Sequence, residues 1–175
     1  MQSTSFNARG QAENMTYGNG ATTAYTYNDA RGFLSRVLTS NGATTLQDLN
    51  YARDVRGQIS AVTSPQAGKS WNYGYDALDR LTSASNVNTP AETVSYAYDD
   101  ADNMLYNSSL CAANPNMVYP TQGATSIRPH APTSICGTSV TYDANGNTLS
   151  YDVDGSGPIP PRTLVSCQVI VPRIV

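Results

Sequence analysis

The stretch Y-G-Y-D-A-L-D-R-L at residues 73–81 joins a strand pattern to a turn pattern. Tyr73 and Tyr75 are two residues apart, so on a strand both side chains lie on one face of the sheet. An Asp at the first position of a type I turn, here Asp76, accepts backbone N–H groups, and the fourth residue reverses the chain. The stretch therefore predicts a strand that ends in a tight turn.

The same turn pattern recurs along the chain at a nearly constant step. It consists of Asp or Asn, then Gly or Asp three residues later, then an apolar residue. The copies are Asn7/Gly10, Asp29/Gly32, Asp54/Gly57, Asp76/Asp79, Asp99/Asp102 and Asp143/Gly146. They are separated by 22, 25, 22, 23 and 44 residues, and the last gap equals two steps of 22. Asp79 and Asp102 can replace Gly because Asp reaches positive φ more readily than most residues.

An aromatic residue usually stands directly before the turn, and a second one often lies two residues earlier. Aromatic side chains on one face of a sheet stabilise strand pairing. The pattern thus assigns structural roles, at strand ends and turns, to a set of repeat residues. These are Tyr27, Asp29, Gly32, Asp54, Gly57, Tyr75, Asp76, Tyr98, Asp99, Tyr142, Asp143 and Gly146.

A second turn signal follows the first by 12 residues, at Asn19-Gly20 and Asn41-Gly42. The same offset predicts further turns near residues 66, 88, 111 and 155. Turns at this spacing, with short strands between them, predict an antiparallel meander in which each unit of about 22 residues is a hairpin plus its return.

Composition agrees with an all-β fold. Charged residues make up 13% of the 175 residues, Lys69 is the only lysine, and Glu13 and Glu92 are the only glutamates. Lys and Glu normally fill exposed helical positions, so a helical bundle is excluded. The formal net charge of -3 gives no basic field for a phosphate backbone, so no nucleic-acid partner is expected. We expect no membrane insertion, because no apolar run is long enough, and we see no signal peptide.

The pattern aromatic-Asp-x-x-Gly-x-apolar at this step resembles the YD repeat of the Rhs (rearrangement hot spot) proteins. This family is related to the toxin-complex C subunits and to the animal teneurins. The stretch R-P-H-A-P-T at residues 128–133 also resembles the late part of a bacterial Rhs core. The matching repeat segments are residues 25–38, 51–62, 73–83, 96–105 and 140–149.

The resemblance implies repeated antiparallel β-hairpins in an open, curved or spiralling sheet that is part of a β-shell. It implies a non-catalytic scaffold that encloses or presents a C-terminal toxin or effector in the full-length parent. Its partners would be the remaining Rhs core repeats and the enclosed toxin domain. A standalone carbohydrate-binding or cell-surface-binding module, with glycans as partners, is the alternative. An extracellular or cell-surface location would follow from either.

We expect residues 1–151 to form the repeat array, with a degenerate, loop-rich copy at residues 111–137. Its prolines cannot donate to a central ladder of strands. Residues 152–175 depart from the pattern and form a divergent C-terminal tail. This departure suggests truncation or a shift of reading frame, and a divergent capping strand is the alternative.

No catalytic, cofactor-binding or metal site is predicted. His130 is the only histidine, and we interpret it as a surface or loop-packing residue. Asp152, Asp154 and Ser156 resemble the first ligands of a calcium loop, but Thr163 stands where that loop requires Glu. A hairpin turn at residues 154–155 is therefore favoured there.

The cysteines and arginines leave alternatives open. Cys111, Cys136 and Cys167 lack the C-x-x-C spacing of a zinc site. Cys111 and Cys136 could form a disulfide in an oxidising compartment, and free buried thiols are the alternative. Arginines such as Arg31 and Arg56 lie in or beside the turns, where they would form weak surface ion pairs or line a ligand surface together with tyrosines.

Overall fold

The structure is a computed structural model that describes residues 3–150. The chain divides after Val94 into two compact units, each of which is described separately. Among the described residues, no helix is long and apolar enough to cross a membrane.

The first unit is an antiparallel meander in which each strand pairs with the next along the chain. A short 3-10 helix, Pro90–Glu92, follows the last of these strands. The strands are β1 (Ser3–Phe6), β2 (Ala12–Thr16), β3 (Ala21–Tyr27), β4 (Leu34–Asn41), β5 (Thr44–Arg53), β6 (Ile59–Thr63), β7 (Trp71–Tyr75) and β8 (Leu81–Asn86). The predicted fold class is confirmed: the protein is all-β, with antiparallel hairpins in a sheet that does not close on itself within residues 3–150.

The second unit contains two hairpins and a small three-stranded sheet. One hairpin joins β9 (Val94–Tyr98), which begins at the boundary between the units, to β10 (Met104–Asn107). The other joins β14 (Thr141–Tyr142) to β15 (Thr148–Ser150). The small sheet lies between them in sequence and consists of β11 (Met117–Val118), β12 (Ser134–Ile135) and β13 (Thr138–Ser139). Residues 111–137 thus contain two very short strands and long loops.

The hydrophobic core is thin, as expected for hairpins in a single layer. Across residues 3–150, five hydrophobic residues are buried: Ala21, Leu49, Trp71, Ala84 and Val140. Polar groups share the buried positions. The side chain of Thr23, for example, is hydrogen-bonded across the β3–β4 pair to Thr39, with 2.9 Å between the hydroxyl oxygens. Each unit therefore depends strongly on strand pairing and turn contacts.

The fourth residue of each repeat turn has the left-handed backbone conformation that the pattern requires. Gly10 has a φ of 75° and Gly57 a φ of 95°. Asp79 and Asp102, at the same position in their turns, have φ values of 67° and 64°. The prediction that Asp replaces Gly at these two positions is confirmed.

Alanine substitutions at three glycines test the need for this backbone conformation. Gly10→Ala should lower the free energy of unfolding of the first unit by about 1 kcal/mol, because Ala is strained at positive φ. Gly57→Ala should cost more, because its new Cβ would lie 3.0 Å from the Phe33 ring. Gly18 is exposed, lacks a positive φ and has open space around it, so Gly18→Ala is the matched control. Urea unfolding measures all three, and equal stabilities would contradict the assignment.

Candidate functional site

The repeat turns share one hydrogen-bond pattern, here numbered from position 1, the Asp or Asn, to position 5, four residues later. The Oδ1 atom of Asp76 accepts the backbone N–H groups of Leu78 and Arg80, both at 2.9 Å. The N–H of Asp79 also donates to the carbonyl of Asp76, which closes the turn. The same side-chain pattern is made by Asn7, Asp54, Asp99 and Asp143.

The second repeat turn differs from the sequence-based assignment by one residue. The side chain that accepts the turn N–H groups is Asn28, which bonds to Ala30 and Arg31 at 3.0 and 3.1 Å. Asp29, assigned to position 1 from the sequence, lies inside the turn instead. Asn28 follows the aromatic Tyr27 directly, as Asp76 follows its tyrosine, so the strand end rather than the spacing to Gly32 decides which residue caps the turn.

The aromatic residue before the turn ties one repeat to the one before it. The hydroxyl of Tyr27 donates to the carbonyl of Ala12 at 2.8 Å, and that of Tyr75 donates to the carbonyl of Ile59 at 2.8 Å. Each acceptor is the residue just after position 5 of the preceding turn. In the second unit, Tyr142 donates to the carbonyl of Pro132 at 2.9 Å. Burial raises the pKa of Tyr75.

In the third turn the residue directly before position 1 is Arg53, and its contacts differ from those of the tyrosines. Arg53 donates from Nη1 to the carbonyl of Gly57 in its own turn at 2.8 Å. Its guanidinium carbon lies 5.0 Å from the centre of the Phe33 ring, in the range of a cation–π contact. Arg53 thus joins the second and third turns by stacking instead of by a tyrosine hydroxyl.

Long polar side chains at positions 3 and 5 of the first turn, and at position 4 of the second, reach the next turn on the same edge. Arg9 donates from Nη2 to the carbonyl of Asp29 at 2.8 Å, and Gln11 donates from Nε2 to the carbonyl of Gly32 at 2.8 Å. Arg31 then donates from Nη1 to the carbonyl of Val55 at 3.2 Å. Turns on one edge are two strands apart, about 9.5 Å, a distance that these side chains can span.

The third turn continues this series to the fourth. Gln58 donates from Nε2 to the carbonyl of Asp79 at 3.1 Å, and Arg56 pairs with the carboxylate of the same residue. We call the contacts made by Arg9, Gln11, Arg31, Arg56 and Gln58 the turn ladder. Arg56 thus forms a surface ion pair of the kind that the sequence predicts. The contacts that Arg31 and Arg56 make with the backbone or side chains of the next turn were not predicted. The recurring Gln at position 5 was the signal that could have indicated them.

The later turns use position 5 within the turn itself. Arg80 donates from Nε to Oδ2 of Asp76 at 2.7 Å, and Asn103 donates from Nδ2 to Oδ2 of Asp99 at 2.9 Å. Asn147 makes the same bond to Asp143 at 2.8 Å. These carboxylates therefore accept bonds on both oxygens.

The extra hydrogen bonds lower the pKa of all three carboxylates. For Asp76 the backbone N–H of Arg80 is the largest cause. The side-chain amide of Asn103 has that role for Asp99, and the amide of Asn147 has it for Asp143. A carboxylate held in its ionised form by donors stabilises the folded protein where it is ionised.

The degenerate copy supplies a turn of its own at residues 128–131. The N–H of Ala131 donates to the carbonyl of Arg128, whose φ is 56°. Arg128 donates from Nη2 to the carbonyl of Asp143 and stacks on the ring of Tyr142, 5.8 Å from its centre. This segment therefore contacts the turn at residues 143–147 as the turn ladder does in the first unit.

His130 joins the same segment to the turn at residues 99–103. Its Nδ1 lies 2.8 Å from Oδ1 of Asn103, whose amide group donates to Asp99. The Asn103 oxygen is an acceptor, so the contact is a hydrogen bond when Nδ1 of His130 carries a proton. This contact with the turn at residues 99–103 is a loop-packing role for His130.

Cys111 and Cys136 form a disulfide with 6.1 Å between their Cα atoms, so the free-thiol interpretation of these two residues is wrong. Sequence spacing could not decide this, because the pairing depends on how the loop folds back. Within residues 3–150, no three His, Cys, Asp or Glu side chains are grouped to hold a metal ion. The calcium-loop candidates Asp152, Asp154 and Ser156 lie outside the described residues, as does the predicted turn near residue 155.

The opposite edge of the first unit has turns where the offset of 12 residues predicts them. Near residue 66, Gln66 donates from Nε2 to the carbonyl of Leu46 at 2.8 Å. Near residue 88, Asn86 donates from Nδ2 to the carbonyl of Gly68 at 3.1 Å. On this edge too, side chains at the turns therefore bind the backbone of a neighbouring hairpin. A loop also follows β10 near residue 111, in the second unit.

Residues 53–91, which contain the third and fourth repeat turns, match the family model of the RHS repeat. The resemblance to the Rhs proteins that the sequence indicates is thereby confirmed. A comparison with curated proteins finds no match.

The chain is similar in fold to solved structures of toxin complexes. It matches a crystal structure of TcdB2-TccC3 with a TM-score of 0.59 and 18% identity, covering 90% of this chain and 10% of that one. It matches the Tc holotoxin pore of Photorhabdus luminescens with a TM-score of 0.57 and 18% identity, again with 90% and 10% coverage. It also matches a structure of TcdB2-TccC3 without hypervariable C-terminal region with a TM-score of 0.59 and 18% identity, covering 89% of this chain and 10% of that one. The chain thus spans about one tenth of the length of these solved chains.

The lowered carboxylate pKa values predict how stability depends on pH. A carboxyl whose folded pKa is below its unfolded value stabilises the fold above the unfolded pKa, about 4, and loses that contribution as pH falls through the folded value. Asp99→Asn keeps the turn, because Asn7 makes the same backbone bonds, but removes the ionised oxygen that holds Asn103. The variant should be less stable near neutral pH and should lose less stability on acidification.

Thermal unfolding, followed by circular dichroism from neutral pH to below about pH 4, measures the effect. Asp100→Asn is the matched control, because Asp100 is exposed and its carboxylate makes no hydrogen bond within the described chain. The control should follow the wild-type protein. Parallel loss of stability in Asp99→Asn and the wild type would contradict the role of the Asp99 carboxylate.

A charge introduced at position 5 tests the turn ladder. Gln58→Glu replaces the amide donor with a carboxylate that faces the carbonyl of Asp79, so the first unit should lose about 1 kcal/mol of stability. Gln47→Glu makes the same charge change on β5, where the side chain has no hydrogen bond within residues 3–150. Urea unfolding compares the two variants. A loss from Gln47→Glu as large as that from Gln58→Glu would show that charge alone is responsible.

Proposed function

We propose that this chain is a structural section of an Rhs-type β-shell, whose full-length parent encloses or presents a C-terminal toxin or effector. The observation that carries the proposal is the turn ladder. Side chains of one turn, such as Arg9 and Gln11, bind the backbone of the next turn, so the hairpins of the first three turns supply donors for their successors. A wall built from such hairpins is held together along its edge as well as through its strands.

The polar residues of the chain support a scaffold rather than an enzyme. The aspartates at position 1 of three repeat turns, Asp76, Asp99 and Asp143, bind the N–H groups and side chains of their own turns. His130 binds Asn103 of a turn. These side chains are explained by the architecture and form no convergent catalytic group. We therefore assign the chain a structural role in a larger protein.

Similarity to the toxin complexes supports the proposed partners. The TM-score of 0.59 is the same for TcdB2-TccC3 and for the structure without hypervariable C-terminal region. The fold similarity thus does not depend on that region. By analogy, the partners of this chain are neighbouring Rhs core repeats and a separate C-terminal toxin domain on the enclosed side.

A protease-protection experiment tests the proposal on the full-length product of the gene that encodes these residues. The C-terminal region should resist digestion in the full-length protein and be degraded when it is expressed alone. Electron microscopy of the full-length protein should show hollow particles. Equal digestion in both forms, or a gene product that has no region beyond the repeats, would contradict a shell.

A standalone carbohydrate-binding or cell-surface-binding module is the second candidate, and one observation favours it. A surface groove of about 380 Å³ lies between the second and third turns, and Arg31, Phe33, Tyr51 and Arg53 are among its lining residues. Aromatic and arginine side chains in a groove can bind a sugar. A glycan array with the folded protein tests this candidate. Binding that Tyr51→Ala removes would support it, and an array without signal would exclude the glycans tested.

A further inference from the structure

Residues 112–135, the segment between the two disulfide-bonded cysteines, are held with little apolar burial. Asn116 is the one buried residue in this segment, with 2% of its surface exposed. Val118 is 48% exposed and Ile127 is 79% exposed, and Met117, Tyr119 and Ile135 are only half-buried, so no apolar side chain of the segment is fully buried. Its position therefore depends on polar contacts and on the covalent bond at its ends.

The polar contacts at the base of the segment centre on Asn116. Its Nδ2 donates to the carbonyl of Asn107 at 2.7 Å, and its Oδ1 accepts the N–H of Asn107 at 3.1 Å. Its own backbone N–H donates to the carbonyl of Leu105 at 3.0 Å. The backbone N–H of Cys136 donates to the carbonyl of Asn116 at 2.7 Å. The disulfide therefore closes the loop at the point where the two arms of the segment meet.

The far end of the segment contacts two repeat turns. His130 binds Asn103 of the turn at residues 99–103, and Arg128 binds the carbonyl of Asp143 in the turn at residues 143–147. Each contact is a polar bond of modest net strength, made by a side chain that must be held in place. Without a constraint at its base, a segment of this length has many alternative conformations to occupy.

We propose that the Cys111–Cys136 disulfide is a redox latch: it holds residues 112–135 between these two turns, and its reduction releases the segment while the first unit stays folded. The two cysteines are 25 residues apart in sequence, so the bond removes much of the conformational freedom of the open loop. Disulfides persist in oxidising compartments and are reduced in the cytosol. The latch is a property of the chain itself and does not depend on the proposed shell.

The release is an ordinary thiol–disulfide exchange with a dithiol reductant. A thiolate of the reductant attacks one cysteine sulfur, the S–S bond breaks, and the other cysteine leaves as a thiolate. The second thiol of the reductant then attacks the mixed disulfide and frees the first cysteine. Cys111 and Cys136 together gain two electrons and two protons, and the dithiol is oxidised to its cyclic disulfide. Both cysteines are partly exposed, so the reductant can reach them.

Amide hydrogen exchange measured by NMR on the whole chain, oxidised and then reduced with dithiothreitol, tests the latch. Every sample carries Cys167→Ser, because a third thiol would exchange with the pair. The reporters are the hydrogen-bonded N–H groups of Asn116, Thr133 and Cys136. Reduction should speed their exchange by about tenfold or more, while the amides of β3 to β5 change little. Reoxidation should restore the slow exchange.

The double variant Cys111→Ser and Cys136→Ser should exchange rapidly at the same three amides without any reductant. This control separates loss of the bond from an effect of dithiothreitol. If the double variant does not fold, the comparison of the oxidised, reduced and reoxidised protein still decides the result. Three results would overturn the latch. One is equal exchange in both redox states, and another is faster exchange that extends to β3 to β5. The third is alkylation of both cysteines in the unreduced, folded protein.

Discussion

One side-chain oxygen at the first position of each repeat turn accepts two backbone N–H groups, and the rest of the architecture depends on this constraint. With Asp76 as acceptor, the two bonds fix the path of five residues, including one at positive φ. A type I turn followed by a left-handed residue produces a bulge at the end of the strand. The register between β7 and β8 does shift between Gly74 and Tyr75. Since a one-residue slip would turn every side chain to the other face, the capping oxygen also sets which residues face each other.

Position 5 has two uses, and side-chain length and charge together decide between them. The short Asn103 returns its amide group to the carboxylate of Asp99, while its oxygen meets His130. Gln58 is one methylene longer and reaches the next turn at Asp79. Arg80 is longer still, yet it bonds to Asp76, so charge attraction can override reach. The first use strengthens a single turn, and the second connects consecutive hairpins.

The sequence predicts the regular parts of this structure and misses those that depend on tertiary contacts. The spacing of Asp and Gly predicts the turns, and Asp79 and Asp102 follow from the φ preference of Asp. The cap at Asn28 was missed because the neighbouring Asp29 has the same chemistry and fits the spacing better. The turn at residues 128–131 has no Asp or Gly, and its place is set by Arg128 and His130 binding other turns. No periodic pattern encodes such contacts, and the same holds for the disulfide.

Local capping also explains how the fold persists at 18% identity to the toxin-complex structures. Each turn is closed by bonds within five residues, so a strand can change most of its side chains without disturbing the next turn. The thin core places few demands on the strand residues, as the small number of buried hydrophobic side chains in the described region indicates. The sequence constraint is therefore concentrated at the capping residue and at the left-handed residue three or four positions after it. The degenerate copy fits the same logic: it lacks the capping oxygen, and its loop is closed by a covalent bond instead.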